Sequence, residues 1–429
     1  MNAKAEMSSE PQHPDRPDET ATAALQEIVR RFGTPTYAFD VRRMRAQVEK
    51  LHRHLPAEVE LLYSLKANAS LGICDVLADC GVGADVASAG ELATALAAGF
   101  PPERIFVAGP FKLPETVAML RETPQAILSV DSLSELQALA ADGLRNPIVF
   151  RLRPDFDSHS VVQAGSECRF GLTYDDLQRC GEILPSCDLE VIGFHVFAGS
   201  QLLDAEKLNE KHLRLAIDLS QRAADILSIS PSFINLGGGF GTPYGAKDQP
   251  LDLARVGEEL ARLVERTAPA RLVLELGRYF VAEAGWYLTS VLGHQTYQGR
   301  PAVVVDGGVH QRADMCGLGL RSNQNPPIPL GIESAALRPT AVLGCLSLPD
   351  DVLLDAGPLP ELSAGDVLAF SNAGAYGLWS SPAMFHSSPL PAEVAFDGSE
   401  LHLMRQRQPV ESILRDQLHV PQRQEVAPS

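Results

Sequence analysis

The middle of the chain alternates between two patterns of apolar residues. Short runs of apolar, β-branched residues predict strands, and the longer segments between them carry apolar residues at helical spacing. Strands that alternate with helices pair in parallel. Eight such units over about 220 residues fit a closed (β/α)8 barrel, which typically takes about 250 residues; an open doubly wound sheet is the alternative. The predicted strands span residues 60–67, 83–88, 105–110, 126–131, 147–154, 191–199, 233–240 and 271–278.

The pattern changes at both ends of this region. The segment 20–44 predicts a helix, with Thr20 as its N-cap and Gly33 at its end, and then a short strand. Beyond Gly285 the helical spacing gives way to short β-like runs separated by proline and glycine. The predicted fold is therefore α/β, a closed (β/α)8 barrel plus a C-terminal all-β domain completed by an N-terminal strand. The predicted divisions are a tail at 1–19, the helix and strand at 20–44, the barrel at 45–284, the β domain at 285–420 and a tail at 421–429.

Composition and charge narrow the choice of partners and compartment. With 36 basic and 54 acidic residues the formal net charge is −18, which disfavours nucleic acid and anionic membrane surfaces as partners. No apolar run approaches the roughly 20 residues of a membrane span. The seven cysteines include no C-x-x-C pair, so we expect reduced thiols in a cytoplasmic protein, and no metal site.

In a barrel of this kind the active site collects at the C-terminal ends of the strands. There the sequence places a lysine in a largely buried setting, Lys66, which is either functional or simply paired with an acid. Three consecutive glycines can bring backbone N–H groups close to an anion, although a triple glycine is more often only a turn. Other strand ends supply further candidates: Asp85, His195, Phe197, Ser200, Gly237, Gly238, Gly239, Glu275, Gly277 and Arg278.

Each candidate also has an ordinary structural explanation. Glu275 and Arg278 could pair with each other, Cys345 could be a small packing residue, and Tyr376 could belong to a turn. Together, however, a lysine amine, a glycine cradle and an acid suit one cofactor. Pyridoxal phosphate (PLP) needs an amine for a Schiff base, donors for its phosphate and a partner for its pyridine nitrogen.

Several longer motifs resemble one enzyme family. They are YSLKAN, GADVASAGEL, CRFGL, GFHVFAGSQ, NLGGGFG, ELGRYFVAEAG, VVDGGVH and AGDVLAFSNAGAYG. In order and spacing they are similar to the fold-type III PLP-dependent decarboxylases, which include ornithine, lysine and diaminopimelate decarboxylases. This resemblance implies an alanine-racemase-like barrel joined to a β domain. The resemblance runs from about residue 34 to about residue 410 and implies a homodimer with shared active sites.

The resemblance also implies residue roles. Lys66 would form the aldimine with PLP, and Glu275 would pair with the pyridine nitrogen. Cys345 would reach across the dimer interface and return a proton to Cα after CO2 leaves. The phosphate would lie against Gly237 to Gly239, Ser200 and Tyr376, while Asp85, His195, Phe197, Gly277 and Arg278 would complete the cofactor site.

Three departures from the family pattern bear on the substrate. Phe197 stands where a second histidine is usual, and Leu346 stands where an acid that reads a distal amine is usual. The segment CLSLPDDVL is also longer than usual, which leaves open whether Asp350 or Asp351 enters the site. These departures argue against a housekeeping decarboxylase. The motifs GFHVFAGSQ, RSNQNP and SPAMFHSSPLPAEV are similar to a divergent biosynthetic branch, which implies a modified or carrier-tethered amino acid as substrate.

In that interpretation the substrate contacts are Arg278, Arg321, Leu346, Asp351 and Tyr376. The alternative is a free diamino-acid decarboxylase in which Asp350, Asp351 or Glu361 replaces the missing acid. A non-catalytic regulatory paralogue is a remote third interpretation.

Overall fold

We analysed a computed structural model, which describes residues 17–156, 168–245, 247–316, 325–332 and 336–420. Most of the predicted tails, residues 1–16 and 421–429, lie outside the described residues, as does Arg321.

The chain begins with a helix, α1 (Glu19–Phe32), and a strand, β1 (Thr36–Asp40). The carboxylate of Asp18 accepts the N–H of Ala21 and caps the helix, so the predicted cap, Thr20, is wrong by two residues. A short acidic side chain is an equally good acceptor for the free N–H groups of a first turn. Gly33 ends the helix at φ 67°, as predicted, because glycine adopts positive φ without strain.

Eight parallel strands then close into a barrel. Each strand pairs with the next, and the first pairs with the last, Val59 of one opposite Leu272 of the other. This closure confirms the predicted barrel and rules out the open sheet. The strands are β2 (Val59–Ser64), β3 (Gly83–Val86), β4 (Ile105–Val107), β5 (Ile127–Val130), β6 (Ile148–Arg151), β7 (Val191–His195), β8 (Phe233–Asn235) and β9 (Arg271–Leu276).

Helices connect the strands, and their sequences explain where they start. Ser88 and Ser132 accept backbone N–H groups three residues on, and Thr173 forms a reciprocal capping box with Asp176. The helical segment after Asp204 contains a π-helical turn at Asn209–Leu213. The helices are α2 (Val41–His54), α3 (Leu71–Asp79), α4 (Ala89–Ala97), α5 (Pro114–Glu122), α6 (Leu133–Ala141), α7 (Tyr174–Ile183), α8 (Ala205–Leu208), α9 (Arg214–Leu227), α10 (Leu253–Thr267) and α11 (Arg278–Val281).

The C-terminal part forms a second, mainly antiparallel sheet. Its strands are β10 (Gly285–Tyr297), β11 (Arg300–Val305), β12 (Ile328–Pro329), β13 (Arg338–Leu343), β14 (Val352–Leu359), β15 (Val367–Phe370), β16 (Ala392–Asp397) and β17 (Glu400–Arg405). Within the described residues the main order is β14-β13-β11-β10-β1-β16-β17, and β15 pairs with β10 and β12. The N-terminal strand β1 thus completes this sheet, as predicted.

The interior of the barrel is filled rather than open. Six side chains, one from each of six strands, form an apolar cluster: Leu62, Phe106, Ile127, Val149, Phe233 and Val273. Phe106 and Phe233 stack with ring centroids 6.0 Å apart. The ring of His195 meets Phe106 edge-on at 5.2 Å, so this plug sets the floor of the site above it.

No helix in the described parts of the chain is both long enough and apolar enough to cross a bilayer.

Candidate active site

Lys66 lies just beyond the end of β2, in a short helical turn at Leu65–Ala67. Its Nζ is 3.8 Å from Oδ2 of Asp85 and 5.3 Å from the centre of the Phe197 ring, while the side chain is 48% exposed at the barrel mouth. Desolvation lowers the pKa of Lys66, but the negative charge of Asp85, together with Tyr376 and Glu275, outweighs it and leaves the pKa above its usual value. The lysine is thus both paired and accessible.

Asp85 is held in place by its neighbour across the sheet. The Ser64 hydroxyl donates to Oδ2 of Asp85 at 2.6 Å, because β2 and β3 pair Ser64 with Asp85 in register. The other carboxylate oxygen, Oδ1, is shielded from solvent and has no hydrogen-bond partner among the described residues. Asp85 can therefore accept one more donor.

Glu275 and His195 face each other at the ends of β9 and β7. Nε2 of His195 is 3.4 Å from Oε1 of Glu275, and its Nδ1 is 2.9 Å from the Ser129 hydroxyl. Burial, reinforced by the positive charges of Arg151 and Lys66, lowers the pKa of His195 well below its usual value, so the ring is neutral. Burial likewise raises the pKa of Glu275 above the ordinary range of a carboxyl group.

The three glycines form a turn at the end of β8, and their lack of side chains is required there. A Cβ at Gly238 would overlap the carbonyl oxygen of Glu275, and Gly237 and Gly239 have φ values of 65° and 100°. The amide of Asn235 fixes the turn, since its Oδ1 accepts the N–H of Gly237 at 2.8 Å. We call residues 236–239 the glycine cradle.

The cradle leaves hydrogen-bond donors unused. Within the described residues, the N–H groups of Gly238 and Gly239 have no acceptor. The hydroxyl of Ser200, on the adjoining loop after β7, is shielded from solvent and likewise has no partner there. Buried polar groups are nearly always satisfied. Two free N–H groups beside an unpaired hydroxyl fit the phosphate of PLP.

Arg278 follows Glu275 but does not pair with it. Its guanidinium donates to the Tyr244 hydroxyl at 2.7 Å and lies 4.7 Å from the centre of the Tyr376 ring. The N–H of Tyr376 donates to the carbonyl of Ala67 at 2.8 Å, which brings Tyr376 next to the Lys66 turn. Gly277 allows the end of β9 to approach the same turn, because a Cβ there would lie 2.9 Å from that of Ala67.

Cys345 lies in a separate loop of the β domain. Its N–H donates to the carbonyl of Gly307, its thiol lies 3.6 Å from the carbonyl of Asp306, and the residue is exposed. No hydrogen bond or ion pair joins Cys345 to the Lys66 group within the described residues. Burial of the thiol itself and the charge of Asp351 raise its pKa, so it stays protonated at neutral pH.

The two acids near Cys345 differ in their surroundings. Asp351 is 4% exposed, and its carboxylate accepts the N–H groups of Val309 and Leu346 at 2.7 and 2.8 Å. Asp350 is exposed to solvent, and Leu346 is half-buried against the main core. The Asp351 carboxylate therefore shapes the Cys345 loop instead of remaining available as a charged ligand.

Sequence reasoning missed several residues that hold the site. Asn235, Ser129, Ser64 and Tyr244 contact predicted site residues directly. Ser64 and Asn235 lie inside the predicted strands 60–67 and 233–240, whereas the observed strands end at these two residues, so the predicted strand ends lay too far along the chain to mark them. No local pattern marked Ser129 or Tyr244, because their role depends on neighbours far along the chain.

The assembled site fits PLP through the chemistry of its own residues. It offers a primary amine at Lys66, unused donors at the cradle and Ser200, and a buried carboxyl group at Glu275. PLP requires each of these three.

Comparison with known proteins identifies the family. The family model described as the pyridoxal binding domain of pyridoxal-dependent decarboxylases matches residues 41–282. The L-glutamyl-[BtrI acyl-carrier protein] decarboxylase of Niallia circulans is 30% identical over 413 residues, covering 92% of this chain and 96% of that protein. Diaminopimelate decarboxylase of Pseudomonas aeruginosa is 32% identical, with 93% of this chain and 96% of the relative covered.

A solved structure shows the same architecture. Diaminopimelate decarboxylase from Helicobacter pylori, complexed with L-lysine, matches at a TM-score of 0.82 and 26% identity, covering 91% of this chain and 98% of that one. The chain thus belongs to the family of pyridoxal-dependent decarboxylases, and it is a PLP-dependent lyase.

Proposed function

We propose that this enzyme decarboxylates a modified or carrier-tethered amino acid rather than a free diamino acid. The observation that carries the proposal is the absence of an available carboxylate beside Cys345 within the described residues. Leu346 is apolar there, and the Asp351 carboxylate is buried and occupied by two backbone N–H groups. A distal ammonium in this place would be left without a partner, at a cost of several kcal/mol.

The remaining acids of the alternative give it little support. Glu361 pairs with Arg338 at 3.7 Å, and its side chain is 83% exposed. Asp350 is also exposed to solvent. Solvent screens the charge of an exposed carboxylate, so pairing such a group with a substrate amine contributes little binding energy.

The relatives favour the same interpretation without excluding the other. The Niallia circulans protein is named for a glutamyl group carried on an acyl-carrier protein, and such a substrate has no distal ammonium. Diaminopimelate decarboxylases are relatives at comparable identity, so a free diamino acid is the outcome that the test must distinguish.

Within this proposal each part of the site has a task. PLP, when bound, supplies the electron sink for loss of the carboxylate. Lys66 provides the amine that binds it, the cradle and Ser200 bind its phosphate, and Glu275 pairs with its ring nitrogen. Phe197, next to Lys66, and His195, next to Glu275, line the ring side of the site, and Arg278 with Tyr376 lines the phosphate side.

We also propose a homodimer in which Cys345 of the partner subunit completes each site. Cys345 is exposed, and its hydrogen-bonded contacts are with Asp306 and Gly307, which follow β11 in the same β domain. A thiol that keeps its proton at neutral pH can return that proton to the product carbon. A cytoplasmic location, where thiols stay reduced, agrees with the six free cysteines of the described chain.

The test compares substrates on the PLP-loaded enzyme. CO2 release is measured with free meso-diaminopimelate, lysine, ornithine, arginine and glutamate, and with glutamate attached as a thioester to a phosphopantetheinylated carrier. We expect turnover of the thioester and at most slow release from the free amino acids. Rapid turnover of a free diamino acid would overturn the proposal and place a carboxylate in the site that we have not identified.

A further inference from the structure

His212 is a buried histidine that the proposed chemistry does not use. It lies in the π-helical turn Asn209–Leu213 between α8 and α9, and its side chain has no solvent exposure. Single π-helical turns within α-helices are rare and occur frequently at functional sites. The turn thus marks a position where a side chain is displaced from the regular helical path.

The ring of His212 contacts both ends of the glycine cradle. Its Nε2 is 3.0 Å from the carbonyl oxygen of Leu236. A Cβ at Gly239 would lie 3.3 and 3.4 Å from Cε1 and Nδ1 of the ring, so the imidazole occupies the side-chain space that Gly239 leaves open. One ring therefore spans the first and the last residue of the cradle.

The hydrogen bond fixes the state of the ring. Because a carbonyl oxygen only accepts, Nε2 must carry the proton and Nδ1 must be the bare nitrogen. Nδ1 is buried without a hydrogen-bond partner among the described residues. A leucine or phenylalanine in this place would have no such unpaired polar atom. The position therefore favours histidine for its Nε2 donor, which satisfies the buried carbonyl of Leu236.

The other supports of the cradle come from different elements. The Asn235 side chain holds the N–H of Gly237, the N–H of Glu275 binds the carbonyl of Gly237, and the N–H of Leu202 binds the carbonyl of Gly239. His212 is the support that comes from the helical layer outside the barrel. Its removal would leave the carbonyl of Leu236 without a donor, while the other supports, including the bond from the Leu236 N–H to the carbonyl of Val273, stay in place.

We infer that His212 is a positioning residue for the phosphate-binding cradle. It acts through Leu236 and Gly239, and it holds the free N–H groups of Gly238 and Gly239 in the arrangement that an anion requires. This inference rests on the proposed role of the cradle in binding the phosphate of PLP.

The test measures cofactor affinity and not turnover. The apoenzyme is titrated with PLP and, separately, with pyridoxal, which has the same ring and aldehyde but no phosphate. His212→Leu should weaken PLP binding by about tenfold, the usual effect of losing one buried hydrogen bond, and should leave pyridoxal binding unchanged. His212→Gln, whose amide can still donate to Leu236, should retain most of the PLP affinity.

Each other result has a defined meaning. Equal loss for PLP and pyridoxal, or loss for neither, would overturn the role of His212. Ser200→Ala serves as the reference: if it also shows no phosphate-specific loss, the cradle is not the phosphate site and the proposed function fails at that point. Should the leucine variant not fold by circular dichroism, His212→Phe, which keeps a ring but has no donor, provides the same comparison.

Discussion

At the scale of single residues, Asn235 couples two parts of the site that the chemistry keeps distinct. Its Nδ2 donates to Oε1 of Glu275 at 2.6 Å, and its Oδ1 accepts the N–H of Gly237 at 2.8 Å. One buried amide therefore orients both the acid proposed for the ring nitrogen and the turn proposed for the phosphate. Loss of this amide would affect both at once.

Asn235→Leu should weaken PLP binding by about 30- to 100-fold. The substitution keeps the volume but removes two buried hydrogen bonds, worth about 1 kcal/mol each, and leaves the carboxyl group of Glu275 without its donor. Absorbance titration of the apoenzyme with PLP measures the change. Asn146→Leu is a matched control, because Asn146 is equally buried and donates to Thr123 and Ala126 instead. If both variants lose the same affinity, Asn235 has no special role in the site.

The positions of the residues proposed for the chemistry were predictable, and those of the residues that contact them were not. Lys66 and Glu275 stand at the ends of strands whose pattern is clear, so their convergence followed from the barrel alone. Ser129 contacts His195 from 66 residues away in sequence, and Tyr244 contacts Arg278 from 34 residues away. Such hydroxyl groups have no local signature, because their partners are set by register and loop geometry.

At the scale of elements, the glycine cradle depends on close backbone approach between the ends of β8 and β9. A Cβ at Gly238 would overlap the carbonyl of Glu275. That carbonyl belongs to the backbone of β9, so it cannot rotate away as a flexible side chain could. The cradle and the end of β9 are therefore one unit, and a shift in either moves the free N–H groups.

Gly238→Ala should reduce PLP affinity by about 5- to 150-fold, corresponding to the 1–3 kcal/mol typical of overpacking. The measurement is again titration of the apoenzyme. Gly293→Ala in β10 is the control, because a Cβ there meets no atom within 4 Å. A Gly238→Ala variant with wild-type affinity would show that the phosphate does not depend on this turn.

His212, in the helical layer outside the barrel, should also make the free energy of unfolding depend on pH. Burial lowers the pKa of His212 from 6.5 to about 4. Between these two pH values His212 binds a proton in the unfolded chain but not in the folded chain. The free energy of unfolding therefore falls as pH drops from about 6.5 towards about 4. His212→Gln should make that slope shallower, by at most about 1.4 kcal/mol per pH unit. Urea unfolding across this pH range measures the slope for the wild-type protein and for His212→Gln. Identical slopes would contradict the lowered pKa of His212.

The elements themselves were largely predictable, with informative exceptions. All eight barrel strands were found by their apolar runs. The π-helical turn at Asn209–Leu213 was not, because it keeps the composition and spacing of an ordinary helix. Asp18 replaced Thr20 as the cap of α1, since several short polar side chains near a helix start can serve equally.

At the scale of the whole molecule, the proposed chemistry is divided between two domains. The barrel carries Lys66, and the β domain carries Cys345 in a loop with its own hydrogen bonds. Sequence patterns predict both domains but not the contacts between two copies of the chain in a dimer. The shared site therefore remains a prediction about assembly.

Two variants that are inactive alone should regain turnover when their subunits combine in one dimer. Lys66→Ala and Cys345→Ala are each expected to lose most turnover, while the Cys345→Ala variant keeps bound PLP. Mixed in equal amounts under conditions that allow subunit exchange, half of the dimers are mixed and each contains one intact site, which gives about a quarter of wild-type activity. No recovery, in a mixture shown by mass spectrometry to contain mixed dimers, would mean that each chain uses its own Cys345.

The most direct test of the account is to locate the cofactor on the chain. The PLP-loaded enzyme is treated with borohydride, which fixes a lysine-bound pyridoxal group, and the modified peptide is identified by mass spectrometry. We predict modification at Lys66, and loss of both the modification and the visible absorption in Lys66→Ala. Modification instead at Lys112, a buried lysine paired with Glu135 at 3.1 Å, or an absorption band that survives in Lys66→Ala, would contradict the account.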